Sequence, residues 1–187
     1  MQRATDYPRF LLRRSAWRVE RLAVAVLLCV GSLMTTVAAA AGRRDTTGLN
    51  VGDRPPSFSS VDLRGERQSL QQHDGKVVVL HFWASWCPYC RGEVPKLKQV
   101  VERWEADRVQ VLAVSVDENL GALQRYLAEA GLPYPIIPDV EQDFALADRY
   151  NISGIPVTYV LTPHGRIAAR FRGPGDIVVA VQRALRQ

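Results

Sequence analysis

From Val77 to Trp83 the chain reads Val-Val-Val-Leu-His-Phe-Trp, apolar almost throughout and β-branched at its start. Such a run fits a strand buried on both faces, as in a mainly parallel sheet. Val109–Val116 has the same character. Between the two, Val94, Leu97, Val101 and Trp104 recur at helical spacing over Cys90 to Glu105, with Glu93, Lys96 and Glu102 on other faces. Pro95 falls inside that helix, where its missing N–H and bulky ring predict a kink. Strand, helix and strand in this order imply a right-handed crossover and parallel pairing.

Shorter runs complete the pattern. Ser57–Val61 and Arg67–Leu70 flank a turn containing Gly65 and predict a hairpin. Asn119–Ala130 reads as a second helix closed by Gly131, followed by a short extended piece, Tyr134–Ile137. Asp139-Val140-Glu141-Gln142 reads as a capping box opening a helix that runs to about Tyr150. Val157–Leu161 and Ile167–Phe171 flank Thr162-Pro163-His164-Gly165 as a second hairpin, and Gly173-Pro174-Gly175-Asp176 introduces a last helix, Ile177 to Leu185. The expected fold class is α/β: a central mixed sheet flanked by helices. An N-terminal β-hairpin precedes it, and a strand–helix insertion at about 117–150 interrupts it.

The first 41 residues follow a different pattern. A basic segment leads into the charge-free run Leu22–Ala41, which ends in four alanines. This order of basic region, apolar region and small-residue cleavage site describes a secretory signal peptide. The run is also about as long as a membrane-spanning helix requires, so a retained anchor through residues 22–41 is the other reading. Residues 1–41 are thus a signal peptide or N-terminal membrane anchor, 42–52 a linker, and 53–187 the folded domain. Cys29 lies within the apolar run and has no evident role.

Charge is informative only by where it sits. The formal net charge is +5, but six of the 24 basic and two of the 19 acidic residues lie in 1–41, leaving 18 against 17 from Gly42 onward. The domain has no basic footprint for nucleic acid, and no nucleic-acid partner is expected.

The chemistry concentrates in Trp86-Cys87-Pro88-Tyr89-Cys90, just after the first buried strand. Two cysteines separated by two residues at a strand-to-helix junction can close a small disulfide ring, and unpaired helix N–H groups there favour a thiolate. So short a loop restricts the unfolded chain little, which makes stability a poor reason for the pair. A structural zinc site would need about four ligands. Beyond these two cysteines, residues 42–187 offer only the scattered His73, His81 and His164. Redox exchange is the better reading, with no metal and no cofactor. Cys87, before the first helical turn and exposed, would attack a substrate disulfide; Cys90, one turn in and more buried, would resolve the mixed disulfide. Pro88 suits the first helical position, where its missing N–H costs nothing.

The two-cysteine motif at the end of the first buried strand resembles the thioredoxin fold. The stretch Phe82-Trp83-Ala84-Ser85-Trp86-Cys87-Pro88-Tyr89-Cys90-Arg91-Gly92-Glu93-Val94-Pro95 resembles more narrowly the TlpA/ResA family of extracytoplasmic thiol-disulfide oxidoreductases. So do Gly154-Ile155-Pro156-Val157-Thr158, the leader, the N-terminal hairpin and the insertion. The resemblance covers roughly residues 50–187. It implies a cis Ile155–Pro156 bond facing the cysteines, with backbone groups of Ile155 that pair with an extended substrate. It also implies that Glu93 tunes the cysteines and shuttles the proton of the resolving thiol. Trp86, Pro88, Tyr89, Ile155 and Pro156 would form the docking surface, with Trp86 shielding the thiols. The partners implied are exported protein thiols and disulfides, with apocytochrome c as one client, and a membrane-embedded electron donor.

Three features leave alternatives open. His81 occupies the strand position where thioredoxins carry a buried Asp; it is either a proton relay near neutral pH or a hydrogen-bonded core residue. The Pro88-Tyr89 pair also occurs in glutaredoxins and points to a potential above that of a strong reductant, which keeps an oxidase or isomerase in view. A copper-delivery protein on the same fold is disfavoured by the two-residue cysteine spacing, and a peroxidase by the absence of a lone Pro-rich peroxidatic cysteine motif.

Overall fold

A computed structural model describes residues 46–187; the leader, its cleavage or anchoring segment 22–41 and Cys29 lie outside the described residues. β1 (Ser59–Val61) and β2 (Arg67–Ser69) form the expected antiparallel hairpin. The main sheet follows: β3 (Val77–Trp83), β4 (Val109–Ser115), β5 (Ile136–Pro138), β6 (Val157–Leu161) and β7 (Ile167–Arg172), in spatial order β5-β4-β3-β6-β7. β3–β4 and β4–β5 pair in parallel, β3–β6 and β6–β7 antiparallel. Every residue of the central strand β3 is buried, as its unbroken apolar run requires.

Among the described residues four helices flank the sheet: α1 (Pro88–Arg103), α2 (Leu120–Ala130), α3 (Ala145–Arg149) and α4 (Ile177–Ala184). One face of the sheet (Val77, Val79, Trp83, Val111, Ala113, Val160) packs with Leu97 and Val100 of α1, Leu123 of α2 and Ile177 and Val181 of α4. The other face (Val78, Leu80, Phe82, Val114, Tyr159) packs with Phe58, and with Leu146 and Tyr150 around α3. This topology is the thioredoxin fold, with α2 and β5 as the insertion.

Three local expectations change. The helix foreseen from Asp139 to Tyr150 is broken: a 3-10 turn, Asp139–Gln142, ends at Asp143 and Phe144, both at positive φ, before α3 begins. The Asp139 carboxylate does not cap its own turn. It accepts from the Leu146 and Ala147 N–H groups at 3.0 and 2.7 Å, and so serves the start of α3. In α1 the deepest stripe is Cys90, Glu93, Leu97 and Val100, with Val101 and Trp104 at its margin; Glu93 is therefore inside, not on an outer face. The helix continues through Pro95. Finally, residues at the end of the expected linker are tied to the domain: Gly52 N–H donates to the Ile167 carbonyl at 2.8 Å, and Ile167 N–H to that of Asp53 at 2.9 Å. Arg170 adds to this tie: it lies 5.1 Å over the Tyr159 ring and donates to the Leu49 carbonyl.

Candidate active site

Two loops leave the sheet at the same end. β3 runs out through Trp83 into the cysteine motif, and β6, antiparallel to it, begins there with Val157 paired to Phe82. Pro156 therefore stands level with Trp83, four residues before Cys87. The Ile155–Pro156 bond is cis, and Ile155 packs against the cluster that contains Cys87 and Cys90.

Cys87 and Cys90 form a disulfide with Cα atoms 5.3 Å apart. Cys87 is the N-cap of α1: its backbone is extended, its Sγ accepts from the Cys90 N–H at 3.2 Å, and Pro88 follows at the first helical position. The same N–H that serves the sulfur here would stabilise a thiolate after reduction. The expectation that Cys87 is exposed is not met. It is 4% exposed against 0% for Cys90, because bridged sulfurs cover one another at the helix start. The accessible surface of the motif belongs to Pro88, Trp86 and Tyr89, the last two 63% and 70% exposed.

The loop ahead of Cys87 is clamped by a network that the sequence reading did not single out. Buried Asp117 accepts from Ser85 N–H at 2.9 Å, from Ser85 Oγ at 2.6 Å and from Ser115 Oγ at 2.7 Å. Arg91 Nε donates to the Ser85 carbonyl at 2.6 Å while its guanidinium lies over the Tyr126 ring, which in turn packs on Trp83. The N–H, hydroxyl and carbonyl of Ser85 are thus all bonded, which fixes the approach to Cys87. The signal was present as Ser115-x-Asp117 at a strand end, a spacing at which Ser and Asp bond their own neighbouring backbone. Asp117 N–H indeed donates to Ser115 Oγ at 3.1 Å.

Glu93, one turn beyond Cys90, is 1% exposed. Its Oε1 is 2.7 Å from Lys96 Nζ and its Oε2 accepts from the Gly175 N–H. His81 lies on the face of β3 that packs with α1; its Nδ1 is 2.8 Å from Oγ1 of Thr158, its direct cross-strand partner, and its Nε2 has no partner among the described residues. Burial pushes the imidazole pKa down to about 3, so the ring is neutral near pH 7. Of the two readings open for His81, the hydrogen-bonded core residue matches this geometry. Among the described residues no three His, Cys, Asp or Glu side chains are grouped to hold a metal ion.

A redox-capable pair capping a helix, beside a cis-proline loop on this sheet, defines a thiol-disulfide oxidoreductase of the thioredoxin type. The chain belongs to the AhpC/TSA family, whose model matches residues 51–170. It is 32% identical over 129 residues to the thiol-disulfide oxidoreductase ResA of Geobacillus kaustophilus, covering 69% of this chain and 73% of that one. Among solved structures it is similar to a thiol:disulfide interchange protein of the thioredoxin family from Chlorobium tepidum, with TM-score 0.64 and 29% identity over 73% of this chain and 98% of that one. StoA of Bacillus subtilis is also similar, with TM-score 0.57 and 28% identity over 70% and 95% of the two chains.

Proposed function

We propose that this enzyme is an exported disulfide reductase. The observation that carries the reading is the Cys87–Cys90 disulfide seated at the start of α1, at the sheet end where the cis Ile155–Pro156 segment also begins. In the reduced protein the Cys87 thiolate attacks a client disulfide; that S–S bond breaks, a Cys87–client bond forms, and the leaving sulfur takes up a proton. Cys90 then gives its proton to Glu93 and attacks the Cys87 sulfur. The second client sulfur leaves as a thiolate and takes up a proton, Glu93 returns its own to solvent, and two electrons have passed to the client. A membrane-embedded dithiol donor returns the Cys87–Cys90 disulfide to the reduced state. Trp86, Pro88, Tyr89, Ile155 and Pro156 receive the client chain.

The pattern of residues 1–41 supports export, and an extracytoplasmic site explains why electrons must come through the membrane. The clients are exported proteins, among them cytochrome c precursors whose haem-attachment cysteines must be reduced. The test is an exported Cys90→Ala variant, which holds Cys87–client bonds. Capture of exported proteins, cytochrome c precursors included, is the expected result; an exported variant that captures nothing overturns the reading. The direction is read in the same cells: wild-type protein held reduced by its donor supports a reductase, whereas protein held oxidised that passes its disulfide to clients makes it an oxidase.

A further inference from the structure

The loop Gly173–Asp176 touches both halves of the site. Gly173 N–H donates to the Pro156 carbonyl at 2.8 Å, directly behind the docking segment. Two residues on, Gly175 N–H points to Glu93 Oε2, and the Gly175 carbonyl accepts from Lys96 Nζ at 2.9 Å. Lys96 closes the circuit with its 2.7 Å contact to Glu93 Oε1. The backbone at Gly175 lies so close to Phe171 that a Cβ there would overlap the ring, which holds the loop in this place. The loop then enters α4, whose first turn is capped by the Asp176 carboxylate accepting from Val179 N–H.

Resting on the role proposed above for Glu93, we infer that Lys96 is a positioning residue for the resolving step. A buried carboxylate on a helix has rotamer freedom and a desolvation cost unless its oxygens are partnered. Here one oxygen is held by an ammonium on the same helix, the other by the backbone of the loop that also donates to the Pro156 carbonyl. Lys96 bonds both the carboxylate and that loop. It therefore fixes Glu93 relative to Cys90, one turn away, and relative to the segment on which the client lies. Resolution moves the Cys90 proton to Glu93, forms the Cys87–Cys90 bond and breaks the Cys87–client bond; Lys96 takes no proton and touches no reacting sulfur.

The test separates the two steps in single turnover with a disulfide peptide, quenching thiols and measuring Cys87–peptide adduct and free peptide dithiol. Lys96→Met should slow adduct resolution about tenfold, a part of the roughly 100- to 10,000-fold that a positioned proton acceptor contributes, since the carboxylate itself remains. Adduct formation should stay within about twofold of wild type, since that step uses no proton acceptor on Glu93. Lys96→Arg, which retains a charged donor, should restore most of the loss. In a Glu93→Gln background, Lys96→Met should add nothing; this double variant also removes the uncompensated carboxylate, and so keeps the test open if the single variant folds poorly. Equal slowing of both steps, an unchanged resolution rate in Lys96→Met, or fully additive losses would overturn the inference. If Glu93→Gln itself resolves at the wild-type rate, it is the proposed role of Glu93 that fails.

Discussion

The two faces of the sheet are built on opposite terms. Between β3, β6 and α3 lies a buried aromatic layer: Phe82, Tyr150 and Tyr159 meet with ring centroids 5.2 to 6.4 Å apart, and Phe58 closes it edge-on to Tyr150 at 6.4 Å. Its hydroxyls are satisfied at the margin, Tyr150 donating to the Pro56 carbonyl at 2.6 Å. The face under α1 and α4 carries Cys87, Cys90, His81, Thr158 and Glu93, all buried. Buried polar groups cost stability unless each is partnered, and His81 Nε2 has no partner among the described residues. Both faces bury apolar side chains, but only the one under α1 and α4 spends part of that stability to hold His81 and Glu93 on the side of the disulfide.

The largest expected separation of the two faces comes from Phe82→Ala. Truncating a fully buried aromatic leaves a cavity in the aromatic layer and should cost about 3–5 kcal/mol in denaturant unfolding. Exchange per folded molecule should stay near wild type. A variant that unfolds normally but exchanges slowly would show that the layers are not independent.

The opposite face should respond to pH. His81 binds a proton in the unfolded chain near its ordinary 6.5 but in the native state only near 3. Stability is therefore fully present above pH 6.5 and is lost as pH falls toward 3. At pH 5 the deficit from this group is ~2 kcal/mol, one and a half pH units at about 1.4 kcal/mol each. His81→Gln should remove that part of the slope; an unchanged slope would mean that His81 is protonated in the native state or does not differ from the unfolded chain.

Asp139 should act in the opposite sense and more weakly. Burial raises its carboxyl pKa against the pull of two backbone N–H bonds. A raised carboxylate favours the native state as pH falls through its native value. Asp139→Asn should thus lose a small acid-side gain in stability. A larger acid sensitivity in the variant would contradict the direction assigned.

What the sequence made legible follows the same division. The buried strands, both hairpins and the helix behind the cysteines were readable because apolar runs, turn residues and a two-residue cysteine spacing are local signals, whereas the cis Ile155–Pro156 bond followed only from the family resemblance. The break at Asp143-Phe144 was not. Asp139 to Gln142 matches a capping box, but Asp139 instead caps the next helix, and two non-glycine residues at positive φ are set by tertiary packing. Glu93 escaped the periodicity for a related reason: a carboxylate counts as polar, and only the distant Gly175 backbone together with Lys96 makes its burial tolerable. The exposure of Cys87 was misjudged because a helix start is usually open, whereas the bridge turns its sulfur inward. The Ser85–Asp117 clamp spans 32 residues, beyond the reach of local pattern.

The central claim is that Cys87 attacks and Cys90 resolves. Its most direct measurement is mass spectrometry of acid-quenched mixtures of each reduced protein with a disulfide peptide. The account predicts Cys87–Cys90 disulfide and free peptide dithiol from the wild type, a stalled one-to-one Cys87–peptide adduct from Cys90→Ala, and no reaction from Cys87→Ala. Peptide reduction by Cys87→Ala, or an adduct carried on Cys90 in the wild type, would contradict it.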